Sequence, residues 1–257
     1  MSHRSFEFFL QFHRNVPRQG PGTPEATAEA FQRVRPFLPP TPKILDLGCG
    51  SGGQTIVLAE LCDGPILAVD FHPPFVEELR QRAAEAKFSH RIVAEVGDMK
   101  ALDLGPRRFD LVWCEGAIFV VGFERGLELL RPLLEPSGVL VLSEAVWLRP
   151  QHEAPPIVAE CWQRAYPPMT TVQANLAMAK GAGYALIDHF TLPREGWDAY
   201  IDPVEARMNE VLAAVGNDPD AQAAAEAERQ EFAAFRANDG SVGYEFFLLR
   251  RSDGAAE

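Results

Sequence analysis

The residues best placed to do chemistry begin with the stretch ILDLGCGSGG, positions 44–53, where a hydrophobic run meets an acid at Asp46 and glycines at Gly48, Gly50, Gly52 and Gly53. Gly48, Gly50 and Gly53 satisfy G-x-G-x-x-G, the dinucleotide fingerprint, in which pyrophosphate rests on the N-terminus of the next helix. Glycines at 48 and 50 let backbone approach a ligand that a side chain would push away. Asp46 fits that reading poorly, because a carboxylate there would sit near the anion. It suits a ligand carrying an ammonium and a sulfonium. Asp70 ends the next hydrophobic run, where a carboxylate accepts both hydroxyls of a ribose in either cofactor class. Asp98 and Met99, in VGDMKAL, follow a third run. There Asp98 could take an adenine amino group while Met99 packs against the ring. Each acid also has a plain structural reading, Asp70 as a helix cap and Asp98 as an Asx-turn.

The elements that must position these residues are readable from periodicity. Strand candidates are Lys43–Leu47, Ile66–Asp70, Arg91–Val96, Phe109–Cys114 and Gly138–Trp147. Helical patterns lie between them, with Val76, Leu79 and Ala83 on one face of Pro73–Ala86, and Leu127, Leu130 and Leu134 along Phe123–Leu134. Strands apolar on both faces that alternate with amphipathic helices predict an α/β fold with a parallel sheet covered on both sides. Ahead of the sheet, residues 1–22 form an aromatic-rich lead-in closed by the turn RQGPG. Thr23 then reads as an N-cap with Pro24 at the first helical position, and that helix ends near Pro36. After residue 150 come helical patterns at 156–165 and 171–182 and a strand near Ala185–Leu192. A long helical segment through Val204, Met208 and Val215 and an Ala/Glu-rich stretch at 220–237 precede a final strand, VGYEFFLLRR. These late helices, together with the N-terminal lead-in, are expected to cap the carboxyl edge of the sheet, where α/β ligands sit. The division is one domain: a lead-in over 1–40, a cofactor-binding core over 41–150 and substrate-side helices with the last two strands over 151–257.

Bulk properties narrow the partners. At 257 residues and 47% hydrophobic the chain has material for one sizeable core. A formal charge of −12 repels phosphate backbones, and no basic run is interleaved with aromatics, so nucleic acid is a disfavoured partner. Cys49, Cys62, Cys114 and Cys161 form no C-x-x-C pair, which argues against a disulfide framework or a zinc site. The N-terminal stretch lacks a signal-peptide pattern and no apolar run is long enough to span a membrane. A cytoplasmic protein is expected, as a monomer or a homodimer.

ILDLGCGSGG, Asp70, GDM at 97–99 and FDLVWCEGA at 109–117 together resemble a class I S-adenosylmethionine-dependent methyltransferase over most of residues 40–148. The resemblance implies a Rossmann-like seven-stranded sheet, mostly parallel, with the last strand (242–250) antiparallel. It implies that Asp46, Gly48 and Gly50 line the methionine portion of S-adenosylmethionine, with Gln54 beside them. Asp70 and Phe71 would hold the ribose side, Asp98 and Met99 the adenine, and Glu115 and Gly116 would pass beneath the cofactor. RQGPGTPEAT, EGAIFVVGFERG and SEAVW are similar to a bacterial subgroup of UbiE-like, type 11 small-molecule methyltransferases. That similarity implies that Arg18, Gln19 and Gly20 fold over the cofactor, with Arg18 able to meet its carboxylate.

The acceptor class is narrowed by what is missing. After the fourth strand stands CEGA rather than the Asn/Asp-Pro-Pro-aromatic loop of amino-methylating nucleic-acid enzymes. No Pro-Cys nucleophile and no metal triad is evident, and no metal is expected. A small-molecule acceptor remains. Candidate bases are Glu144 at the end of the fifth strand, His152 just beyond it and His189 on the sixth. Phe119, Trp147, Trp162, Tyr166, Trp197 and Tyr200 could wall an acceptor pocket or serve as core. Three rivals stay open: an NAD(P)-dependent oxidoreductase, a non-catalytic module that binds the adenosyl cofactor, and a methyltransferase whose acceptor is a protein.

Overall fold

The structure, a computed structural model, describes residues 2–252. Seven strands form one sheet in the order β3-β2-β1-β4-β5-β7-β6. They are β1 (Ile44–Leu47), β2 (Ile66–Asp70), β3 (Ile92–Val96), β4 (Phe109–Glu115), β5 (Leu134–Trp147), β6 (Tyr184–Thr191) and β7 (Val242–Arg251). β1 to β5 pair in parallel, and β7 runs antiparallel between β5 and β6. The expected sheet is therefore present, with the late strand reversed.

Alternation along the strands sends neighbouring side chains into two separate cores. Ile44, Leu111, Trp113, Val139, Phe246 and Leu248 pack into one, and Leu45, Leu47, Val112, Leu140, Phe247 and Leu249 into the other. The first core is closed by α1 (His3–Phe12), α2 (Pro24–Val34), α3 (Gly53–Leu61), α4 (Pro73–Glu85), α6 (Pro156–Ala165), α8 (Glu195–Val215) and α9 (Pro219–Ala237). The second is closed by α5 (Phe123–Leu130) and α7 (Val172–Gly181). Cap chemistry sets several helix starts. The Thr23 side chain accepts from Ala26 N ahead of Pro24, Thr171 from Ala174 N, and Asp218 from Asp220 and Ala221 N ahead of Pro219.

The structure departs from the periodicity reading at the α5–β5 junction. The helix expected to reach Leu134 stops at Leu130, and Arg131–Leu133 is a 3-10 turn. Pro132 has no N–H to extend the α ladder. Leu134 instead opens β5, four residues before the expected Gly138, and pairs with Phe109 across an irregular register.

Candidate functional site

Past the carboxyl ends of β1 to β4 lies a cavity of about 630 Å³. It sits where strand order reverses, β1 having β2 on one side and β4 on the other, the position at which open α/β sheets take ligands. Its walls come from Gly48 and Gly50, Asp70 and Phe71, Asp98 and Met99, and Glu115 and Gly116; its roof is α1 and the turn through residues 18–21.

Gly48 and Gly50 adopt φ of +74° and +53°. A Cβ on Gly48 would stand 2.3 Å from Ala117 Cβ, and one on Gly50 would stand 2.3 Å from Gln19 Oε1. Both positions border the cavity, but the space freed by the absent side chains is taken by protein rather than held open for a ligand. Asp46 lies one layer below, fully buried and outside the cavity wall. Its oxygens accept from Thr55 Oγ1 at 2.5 Å and Gln54 Nε2 at 3.2 Å, tying β1 to α3. Burial pushes its carboxyl up to about 7 against those two hydrogen bonds. Gln54 also donates to the Cys49 carbonyl and reaches the wall.

The two other acids do face the cavity. Asp70 accepts from Gly50 N and His72 N, each at 2.9 Å, so it braces the glycine loop from β2. Burial raises its pKa. Each of its oxygens still has a lone pair to offer. Asp98 accepts from Lys100 N at 2.8 Å in the expected Asx-type turn, with Met99 buried beside it. Phe71 stands half-exposed at the mouth.

The lead-in does more than cover the site. Arg18 is buried; its Nη2 donates to Glu115 and to Thr27 Oγ1. Glu115 also accepts from Thr27 Oγ1 at 3.0 Å and from Trp113 Nε1 at 2.9 Å. Arg18 Nη1, equally buried, has no partner among the described residues. An idle guanidinium N–H at a cavity wall is a ready donor for an anion such as an α-carboxylate. Gln19 closes the N-terminus of α3: its Oε1 accepts from Ser51 N at 2.7 Å and its Nε2 donates to Ser51 Oγ at 3.0 Å. Pro17 O lies 2.9 Å from where a Cβ of Gly53 would be. A pyrophosphate needs that helix end, and the lead-in already occupies it. Gly116 completes the floor, at φ +68° with its N–H donated to Ser143 Oγ.

The candidate bases scatter. Glu144 is buried at the end of β5 but lines a smaller neighbouring cavity. His152 stands on an exposed 3-10 turn, 82% exposed and paired only with its neighbour Glu153 at 3.9 Å, so the structure does not bring it to the site. His189 lies on edge strand β6 and binds Glu245 at 2.5 Å, away from the cleft. Of the aromatics, Phe119 lines the cleft, while Trp162 and Trp197 pack with Phe235 inside the core. Among the described residues no group of three or more metal-ligating side chains occurs.

Of the cavity residues that the sequence reading passes over, His13 carries the most chemistry. A polar interruption in an apolar stripe, it lines the roof and is 2% exposed. Its Nδ1 meets the Phe9 carbonyl and its Nε2 the Tyr200 hydroxyl, each at 2.9 Å. The first contact calls for a proton on Nδ1, leaving Nε2 to accept from Tyr200. Burial drives its pKa down to about 4.

The fold is that of solved S-adenosylmethionine-dependent methyltransferases, a seven-stranded sheet with β7 reversed and a cleft at the point where strand order turns. Residues 44–138 match the family profile described as "Methyltransferase domain". Among curated relatives, YjhP of Escherichia coli K12 is 26% identical over 162 residues, 63% of this chain and 64% of YjhP. The 27-O-demethylrifamycin SV methyltransferase of Amycolatopsis mediterranei is 32% identical over 35% of this chain and 34% of its own. The chain thus spans less than two thirds of the length of the curated relatives it matches. The YjhP crystal structure superposes with a TM-score of 0.81 at 24% identity, covering 95% of this chain and 99% of that one. A Geobacter sulfurreducens S-adenosylmethionine-dependent methyltransferase, crystallised with S-adenosylhomocysteine, gives 0.82 at 22%, covering 95% and 98%. At these identities the superpositions establish the fold.

Proposed function

We propose that this protein transfers a methyl group from S-adenosylmethionine to a small-molecule acceptor. The observation that carries this reading is Arg18, buried at the cleft with one guanidinium nitrogen paired to Glu115 and the other idle. The polar groups at the cleft fit the cofactor in three parts. Arg18 suits the methionine carboxylate, Asp70 the ribose hydroxyls, and Asp98 with Met99 the adenine. When bound, the cofactor supplies a methyl already activated by its sulfonium. What is left to the chain is to bind, to orient and to keep water out, and a roof carrying Phe6, Phe9 and Leu10 suits the last task. The small-molecule acceptor is supported by relatives such as the rifamycin methyltransferase and by the acidic surface. Among the described residues no helix is long and apolar enough to cross a membrane. The four cysteines are free and buried, which fits the reducing cytoplasm.

The test is thermal unfolding with S-adenosylmethionine, S-adenosylhomocysteine, NADH and NADPH in parallel. A ligand at about a hundred times its Kd stabilises by about 2.7 kcal/mol, a shift of roughly 5–10 °C in a chain of this size. A shift with the two adenosyl ligands alone is expected. A shift with a nicotinamide cofactor alone would refute the reading.

A further inference from the structure

A second cavity, of about 180 Å³, adjoins the cofactor cleft. The two meet at the 3-10 turn Ile118–Val120 that follows β4. Phe119 and Val120 line the larger cavity, and Val121, Gly122 and Phe123 the smaller. The boundary is thin: the Phe119 ring meets Tyr166, which lines the smaller cavity, edge-on at 6.3 Å between centroids.

Glu144 forms part of that smaller wall. Ser143 is the partner of Glu115 at the last pair of β4 with β5, so Glu144 stands one residue beyond it, on the strand edge where the cofactor site opens. Alternation with Leu142 and Val146 turns its side chain toward α5 and α7, into the second core. It is 2% exposed, and neither carboxyl oxygen has a hydrogen-bond partner among the described residues. The Tyr166 hydroxyl and the Ala145 N–H stand near enough to favour the ionised form without completing a bond. A buried carboxyl left like this is expensive, and among the described residues it enters no ion pair. Its surroundings are mostly apolar, with Phe123, Met169 and Met178, and at the exposed rim Glu124 and Arg125 bring opposite charges.

Left alone in this wall, the Glu144 carboxyl keeps its proton at neutral pH, so the partner that draws that proton off is a cation with hydrogens to give. A hydroxyl brings no charge to ionise the carboxyl, and a carboxylate or phosphate brings the charge that opposes its ionisation. An ammonium group offers two or three, brings the opposite charge, and packs against aromatic rings. We propose that this cavity is the subsite for the amino group of the acceptor, in which Glu144 binds a primary or secondary ammonium against Tyr166. The word acceptor rests on the methyltransferase reading; amine recognition does not, and it can be measured without cofactor.

The probe is benzylamine, with benzyl alcohol and benzoate as controls of matched shape, titrated against the full chain by ligand-observed NMR. Benzylamine is expected to bind at least about tenfold more tightly than either control, the margin of a charge-assisted hydrogen bond. In Glu144→Gln that margin is expected to vanish while S-adenosylhomocysteine affinity stays within about twofold. Equal binding of amine and alcohol by the wild-type protein overturns the proposal, as does a Gln variant that keeps the preference. Should that variant fail to fold, the wild-type ranking of the three probes decides alone. Failure of S-adenosylhomocysteine to bind at all would sink the methyltransferase reading and leave the amine result standing.

Discussion

Arg18 is committed on one nitrogen and free on the other, and that asymmetry makes it the residue to alter first. Removing it would strand Glu115 as a buried charge, a loss of about 3–5 kcal/mol, so truncation would confuse binding with folding. Arg18→Lys keeps a cation for Glu115 and discards the second set of donors. It is expected to weaken S-adenosylhomocysteine binding by about 1.5–3 kcal/mol, roughly ten- to a hundredfold, with little change in Tm; calorimetric titration checks this. Glu144 makes a separate prediction through pH. Burial raises its carboxyl to about 8, from 4.5 in an unfolded chain. Between those values the folded state holds a proton that the unfolded state has lost, so stability declines as pH rises through the window. Glu144→Gln should remove that part of the slope and raise Tm relative to wild type above pH 8, as measured by thermal unfolding across pH 5–9. A variant with the wild-type slope would show that the burden lies elsewhere, Glu228 being the other carboxyl that burial raises to about 8. At this scale the sequence named most of the cavity wall, because glycines and acids after strand ends have few other uses. It could not say that Asp46 faces inward to Thr55 and Gln54, since a fully buried strand gives no hint of which face a residue takes.

Elements were easier to read than their docking. Apolar runs bounded by turns located β1 to β4 within a residue or two, and Thr23-Pro24 marked the start of α2. The lead-in was recognised as a cover, but nothing in its periodicity showed that α1 rests on α8 and α9. Those contacts are long in sequence: Ser2 and Ser5 donate to Asp220, Arg4 pairs with Asp218, and His13 meets Tyr200 with Glu228 3.9 Å away. His13 was missed for this reason. Its buried neutral state ties the seating of α1 to pH. The unfolded chain takes up a proton near 6.5 and the fold only near 4. Stability from this group is therefore fully present above 6.5 and lost as pH falls toward 4. His13→Gln is expected to flatten that acid limb. Hydrogen exchange in α1 should rise below pH 6 in the wild-type protein and less so in the variant; equal exchange in both would refute the link.

For the whole molecule, the two cores divide the labour. The face closed by α1, α2, α3 and α4 carries the glycine loop and the roof of the cofactor cleft, and the face closed by α5 and α7 carries the smaller cavity with Glu144. The sheet between them brings the two chemistries to one edge. The reversed insertion of β7 bears on this arrangement in time as well as in space. β7 is buried along eight of its ten residues and supplies the pairing for both β5 and β6. On the ribosome, β1 to β5 can assemble as they emerge. β6 has no pairing with them in the finished sheet, because β7, made some fifty residues later, lies between. Until then β5 presents an open, hydrophobic edge, the kind of surface on which chains pair wrongly with one another. Synthesis of this protein thus includes an interval in which the parallel half of the sheet is paired while its neighbouring edge stays adhesive and the roof helix α1 still lacks α8 and α9, and the interval closes only when residues 242–251 enter between β5 and β6.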